Sequence, residues 1–133
     1  MAVIKSYTDI EQSLKLAEIL PLESADMYRV FENNAETRVY YGKIPTAYFV
    51  CKPCWSLAAL IGVMPQINEW ITPHGHKNDK LSQFEPKICK MWEHSIIPSY
   101  KITYGNGLST DIYDNPVDAC VAMIEKLHEL KML

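Results

Sequence analysis

The pattern of apolar and polar positions predicts helices at the beginning, middle and end of the chain. The first is marked by Thr8-Asp9-Ile10-Glu11, a capping box in which a hydroxyl and a carboxylate satisfy amides that no helical bond reaches. The residue before a proline avoids the α region, so we expect this helix to end before Pro21. Its predicted one-sided apolar stripe comprises Ile10, Leu14, Ala17 and Leu20, with Leu16 and Ile19 beside it.

The middle and last helices differ in the distribution of their apolar residues. Residues 55–64 are apolar nearly all round and are followed by Pro65, which is typical of a buried helix. The last helix is predicted to begin after Asn115, with Pro116 at the first position, where a missing amide costs nothing. Its apolar face is predicted to hold Val117, Cys120, Val121, Ile124, Leu127 and His128.

Segments rich in β-branched and aromatic residues predict strands between these helices. Gly105-Asn106-Gly107 predicts a hairpin turn, because Asn-Gly tolerates the positive φ angles of a type I′ turn. Residues 66–87 contain Pro73, Gly75 and Pro86 and are predicted to be irregular. Residues 22–36 are ambiguous: a loop is predicted, with a short strand around residues 27–31 as an alternative. Residues 37–41 and 46–50 are predicted as two strands or as one interrupted edge ribbon, and the later predicted strands are 88–92, 99–104 and 108–113.

Strands that mostly come as adjacent hairpins, with three helices around them, predict an α+β fold. We expect an antiparallel sheet with the three helices packed mainly on one face, as a single domain over residues 1–133. The chain has 133 residues, of which 48% are hydrophobic and 22% charged, which is the composition of a globular protein. The longest apolar stretch, residues 57–65, is far shorter than a membrane span, and the N-terminal residues lack the apolar core of a signal peptide. A cytoplasmic protein that does not bind membranes is expected.

Charge is distributed unevenly but is not clustered. The formal net charge is −3, and residues 41–110 carry seven basic and four acidic side chains. Nucleic-acid binders usually concentrate basic residues on one face and use arginine, whereas Arg29 and Arg38 are the only arginines here. We therefore expect no nucleic-acid partner.

Three blocks of sequence resemble a family of small bacterial proteins of uncharacterised activity, often linked to phage or mobile elements. They are Ala-Glu-Ile-Leu-Pro-Leu-Glu-Ser-Ala-Asp-Met (17–27), Lys-Pro-Cys-Trp-Ser-Leu-Ala-Ala-Leu (52–60) and Asp-Asn-Pro-Val-Asp-Ala-Cys-Val-Ala-Met-Ile-Glu-Lys-Leu-His-Glu-Leu (114–130). The resemblance implies no catalytic residue, so the chemistry of the chain has to be inferred from spacing and placement.

Cys51-Lys52-Pro53-Cys54 is the clearest chemical motif, because it lies between a predicted strand and a predicted helix. A thiol at a helix N-terminus is stabilised as the thiolate, which is the species that attacks in disulfide exchange. Pro98 before a later strand is similar in position to the cis-proline of thioredoxins. A dithiol oxidoreductase with Cys51 as nucleophile and Cys54 as resolving thiol is therefore one alternative.

Several features favour a structural role for the same cysteines. The tryptophan follows the pair instead of preceding it, and Pro73 and Pro86 interrupt the region in which a thioredoxin-like chain needs a strand and a long helix. In the structural interpretation, Cys54 fills core space and Cys51 ends a strand.

A second alternative is a zinc-binding module. Cys51, Cys54, His74 and His76 supply four ligands of the types that bind zinc tetrahedrally. The single residue between the histidines is shorter than the usual spacing, and a chain of this length needs no metal to fold. We expect no cofactor and no metal as the first choice.

The remaining lead is a surplus of aromatic residues, of which Tyr40, Tyr41, Tyr48 and Phe49 lie on predicted strands. Strand alternation sends some of them outward, and exposed tyrosine is typical of protein interfaces. The function we expect is therefore a non-catalytic protein–protein interaction module, with an unknown protein partner or with self-association as a homodimer.

Overall fold

A computed structural model of the chain describes residues 5–31, 38–44, 50–71, 77–92, 96–105 and 107–133. Its helices are α1 (Ile10–Ile19), α2 (Leu57–Val63) and α3 (Pro116–Glu129), with a short 3-10 helix at Leu22–Ser24. Its strands are β1 (Met27–Phe31), β2 (Arg38–Tyr41), β3 (Val50–Cys54), β4 (Ile67–Ile71), β5 (Lys77–Phe84), β6 (Lys87–Met91) and β7 (Ser99–Thr103). All the strand pairs are antiparallel, so the predicted α+β class is confirmed.

Contacts divide the described chain into two compact units. The first unit is Ser6–Val63, in which the strands form one sheet with the order β2–β1–β3. The second unit contains the described residues of Met64–Leu133 together with Lys5, and its strands form the pairs β4–β5 and β6–β7. The predicted antiparallel strands are thus divided among three sheets in the described residues. The extent of the predicted domain, residues 1–133, stays a prediction.

Helix α1 begins one residue later than the sequence predicts. Its N-cap is Asp9, whose carboxylate accepts from the Gln12 amide at 2.8 Å, while the Gln12 side chain accepts from the Asp9 amide at 3.1 Å. Thr8 is instead fully buried, and its hydroxyl accepts from the Trp55 amide at 3.2 Å. The capping box is therefore present, but its N-cap residue is Asp9, because the Thr8 hydroxyl is used in a tertiary hydrogen bond.

The buried face of α1 is not its most apolar stripe. Ser13 and Leu16 are its buried residues, whereas Ile10 and Leu14 are 43% and 47% exposed. The predicted apolar stripe and the buried face therefore do not coincide, because the helix turns a serine toward β1. There the Ser13 hydroxyl accepts from the Arg29 guanidinium at 3.4 Å.

The segment predicted as a helix buried on all sides is shorter and half exposed. Trp55 precedes α2 and is fully buried, with its Nε1 donating to the Ser24 hydroxyl at 3.0 Å. Ser56 caps the helix by accepting from the Ala59 amide at 3.2 Å. The Asp26 carboxylate in turn accepts from the Ser56 hydroxyl and, at 2.9 Å, from its amide. Asp26, which directly precedes β1, thereby holds the N-cap residue of α2 in place.

In the second unit, residues 66–87 were predicted to be irregular but contain β4 and β5, with residues 72–76 outside the described chain. Helix α3 agrees closely with its prediction, since Asn115 is the N-cap and accepts from the Asp118 amide at 2.9 Å. His128 is exposed, contrary to its predicted place on the apolar face. The buried residues of α3 are Val117, Ala119, Cys120, Val121, Met123, Ile124 and Leu127.

The predicted hairpin turn is flanked by two glycines with positive φ angles, 75° at Gly105 and 92° at Gly107; Asn106 lies outside the described residues. Across this turn the Tyr104 amide donates to the Leu108 carbonyl at 3.0 Å. The returning segment contacts β7 through isolated bridges, Tyr100 with Tyr113 and Thr103 with Ser109. A continuous strand over 108–113 is therefore not formed.

Candidate functional site

Both cysteines of the Cys-X-X-Cys motif lie on β3 and not at a helix N-terminus. The two cysteines are three residue steps apart on an extended strand, so their α-carbons are separated by roughly 10 Å. An odd number of steps sends the two side chains to opposite faces. A disulfide requires α-carbons roughly 4.4–6.8 Å apart. In this conformation Cys51 and Cys54 therefore cannot form the intramolecular disulfide that the oxidoreductase alternative requires.

The structural interpretation holds for the burial of Cys54 but is wrong for Cys51, which lies near the beginning of β3 and does not end a strand. Cys54 is fully buried, and its Sγ donates to the Thr8 carbonyl at 3.5 Å. Cys51 is partly exposed, and both cysteines carry free thiols. The Ile97–Pro98 peptide bond, expected to be cis by analogy with thioredoxins, is trans. The structure thus does not reproduce the features that suggested redox chemistry.

The zinc alternative requires four ligands, of which the structure describes Cys51 and Cys54. His74 and His76 lie outside the described residues, and Cys51 and Cys54 face opposite sides of their strand. Within the described part of the chain, no three His, Cys, Asp or Glu residues come together as a metal site.

Several exposed apolar residues lie at one end of the β6–β7 hairpin. Trp92 and Ile96 are 59% and 94% exposed, and Ile97 is also exposed. All three lie in the connection that leaves β6 after Met91 and enters β7 at Ser99, residues that pair with each other. Exposed tryptophan and isoleucine so close along a hairpin are typical of a binding surface and not of ordinary solvent-facing residues.

Among the described residues, strand β6 also has one backbone edge that no other strand pairs with. Tyr100 on β7 exchanges both backbone hydrogen bonds with Tyr113, each at 2.7 Å, so its N–H and C=O point away from β6. Lys90 lies opposite Tyr100, and the alternation of an antiparallel ladder turns the Lys90 backbone groups outward as well. Ile88, two residues earlier, has the same orientation. No other strand of the described chain pairs with this edge.

The side chains along this edge combine apolar surface with positive charge. Ile88, Lys90 and Trp92 are two residues apart in turn, so their side chains lie on the same face. The Lys90 ammonium is 5.0 Å from the centre of the Trp92 ring. Lys87 and Lys101 add two more cations on the opposite face of the hairpin, and β6 and β7 contain no acidic residue. We call the outward backbone groups of Ile88 and Lys90, with the Trp92 side chain, the β6 edge.

No family model matches the chain, and no curated protein or solved structure is significantly similar to it. No helix among the described residues is long and apolar enough to cross a membrane.

The aromatic residues predicted to form a surface are only partly described. Tyr40 and Tyr41 on β2 are exposed, and the Tyr40 ring stacks on Tyr28 with centroids 5.5 Å apart. Tyr48 and Phe49 lie outside the described residues. Sequence reasoning missed the β6 edge, although two isoleucines before Pro98 in a predicted connection were a usable signal.

Two buried ionisable side chains in the second unit, Cys120 and Tyr104, stay protonated at neutral pH. Burial raises the pKa of the Cys120 thiol from 9.0 to about 12, so its reactive thiolate is scarce at neutral pH. Burial likewise raises the pKa of Tyr104 to about 12, and its hydroxyl donates to the Pro65 carbonyl at 2.9 Å. Both groups serve packing.

Proposed function

We propose that the protein is a non-catalytic interaction module that binds an extended, acidic segment of another protein along the β6 edge. The observation that carries the proposal is the coincidence of outward backbone groups at Ile88 and Lys90 with the exposed Trp92 side chain. An added strand would satisfy the backbone groups, and tryptophan would supply the apolar anchor that dominates many interfaces.

The chemistry of the partner follows from the charge of the hairpin. Lys87, Lys90 and Lys101 have no carboxylate within ion-pair distance among the described residues, so an acidic segment would complement them. A second copy of the chain fits less well, because pairing through the same edge brings Lys90 of one copy close to the lysines of the other. The proposal includes a cytoplasmic location, which the four free thiols support.

The test uses two short peptides, one that alternates glutamate with valine and one that alternates lysine with valine. We expect the full chain to bind the acidic peptide in a fluorescence polarisation assay, more weakly at high salt, and the basic peptide at least tenfold more weakly. Amide exchange at Ile88 and Lys90, followed by NMR, should slow when the acidic peptide binds.

Two variants probe the two parts of the β6 edge. Trp92→Gln should weaken binding by about tenfold, corresponding to about 1.4 kcal/mol for a central aromatic contact. Lys90→Pro should abolish strand addition while leaving the β6–β7 ladder intact, because the Lys90 amide points outward. Tyr41→Gln, which removes an exposed aromatic residue from the first unit, is the matched control and should bind like the unmodified chain.

Equal affinity for the two peptides, or unchanged binding by Trp92→Gln, would refute the proposal. Light scattering that shows a dimer dispersed by Lys90→Pro, without peptide binding, would replace the proposed partner with a second copy of the chain.

A further inference from the structure

The first unit contains a pocket that the β6 edge does not involve. It has a volume of about 240 Å³ and lies between α1 and the paired strands β1 and β3. Its polar wall contains Ser13, Arg29 and Lys52, and its apolar wall includes Ile10, Leu14 and Phe31.

Two cations face each other across the sheet at this pocket. Arg29 on β1 is directly opposite Lys52 on β3. Like charges in such cross-strand pairs repel each other, and no carboxylate of the described residues lies within ion-pair distance of either. An anion placed between them would remove this repulsion.

The guanidinium of Arg29 is held in place but not saturated. Only 5% of Arg29 is exposed, its Nη2 donates to the Thr8 carbonyl at 2.9 Å, and its Nη1 donates to the Ser13 hydroxyl at 3.4 Å. Its carbon Cζ is 5.9 Å from the centre of the Tyr7 ring. A guanidinium has five N–H donors. Two of those of Arg29 make these hydrogen bonds, and the other three have no acceptor among the described residues. Burying a cation in this state is unfavourable unless a ligand completes it.

The apolar wall explains why the main stripe of α1 is not buried. Ile10 and Leu14, which belong to the predicted apolar stripe, line the pocket and remain half exposed. A ligand with an apolar body would cover them. A volume of about 240 Å³ limits that body to a compact group, since a cavity of roughly 150 Å³ already holds a benzene molecule.

We propose that this pocket binds a small monocarboxylate with a compact apolar body. Arg29 holds the carboxylate, the exposed Lys52 attracts it at the mouth, and Ile10 and Leu14 cover the apolar part. A planar carboxylate matches the fork of a guanidinium, whereas the apolar wall offers a phosphate dianion few of the donors it needs.

The test uses benzoate and hexanoate, with benzyl alcohol and hexanol as neutral probes of similar size, and inorganic phosphate. We expect the two carboxylates to bind the full chain at millimolar concentration or below, and to shift the NMR signals of Ser13, Leu14 and Arg29. The alcohols should bind at least tenfold more weakly.

Lys52→Met should weaken benzoate binding severalfold, and Arg29→Met should abolish it. Lys15→Met removes the same charge from an exposed position of α1 that does not line the pocket, and it should leave binding unchanged. Circular dichroism checks that each variant is folded, and Lys52→Met keeps the test valid if Arg29→Met does not fold.

Carboxylates that bind no better than the alcohols, or as well to Lys52→Met as to the unmodified chain, would show that Arg29 only braces Thr8 and Ser13. Phosphate that displaces benzoate at lower concentration would overturn the choice of ligand. Because the peptide assay depends on Trp92, this proposal and that of the β6 edge can fail independently.

Discussion

Replacing Leu16 and Leu14 by alanine, one at a time, measures which face of α1 is buried. The sequence places Leu14 in the main apolar stripe, whereas the structure buries Leu16 completely and leaves Leu14 47% exposed. Both residues lie in the same helix, so the change in helix propensity is the same for the two substitutions and cancels in their comparison.

The structure predicts clearly different losses of stability. Leu16→Ala removes a fully buried side chain and leaves a cavity, so it should lower the free energy of unfolding by about 3 kcal/mol. Leu14→Ala removes a half-exposed side chain next to an open pocket, so only part of the transfer free energy is lost, about 1 kcal/mol or less. The expected difference is therefore about 2 kcal/mol.

Urea denaturation followed by tryptophan fluorescence measures this difference within the first unit. Trp55 is buried there, so the substitutions are made in a background with Trp70→Phe and Trp92→Phe, which leaves Trp55 as the reporter. Equal losses for the two variants, or a larger loss for Leu14→Ala, would contradict the buried face that the structure assigns to α1. A change in the urea m-value would show that the unfolded state had changed as well.

Two further predictions concern the second unit. Burial raises the pKa of both Cys120 and Tyr104 to about 12, so the unfolded chain releases these protons at lower pH than the folded chain. The free energy of unfolding should therefore be unaffected by these groups below pH 9 and fall above it, by up to about 1.4 kcal/mol per pH unit for each group. Cys120→Ala should reduce that fall, as measured by urea denaturation between about pH 8 and 11. Asn115→Ala should lower the free energy of unfolding by about 1 kcal/mol because it removes the cap of α3, whereas Asn115→Asp, which keeps an acceptor oxygen, should lose much less; an equal loss for both would exclude a capping role.

Local signals predicted some elements well because short-range physics alone determines them. Asn115-Pro116 marks the beginning of α3 in any surroundings, and the apolar spacing behind it matches the buried face apart from His128. The segments 27–31, 88–92 and 99–104 correspond to β1, β6 and β7. Where tertiary contacts compete with local preference, the prediction failed. Thr8 does not cap α1, because its hydroxyl accepts a hydrogen bond from the Trp55 amide.

The candidate sites were less predictable for the same reason. The spacing of Cys51 and Cys54 is equally compatible with a helix N-terminus and a strand, and pairing with β1 decided for the strand. The β6 edge depends on which backbone groups of Tyr100 face Tyr113, which no sequence pattern records. Arg29 is a visible signal in the sequence, as a charged residue in an otherwise apolar strand. Its position opposite Lys52, however, depends on the register between β1 and β3.

The sequence by itself determined the α+β class, the position of α3 and the strands β6 and β7, because helix caps, proline and side-chain periodicity act within a few residues. Tertiary structure decided which face of α1 is buried, which strand edges stay open and which charges oppose each other. These depend on pairing between distant segments, where a shift of one residue moves every side chain to the other face of the sheet.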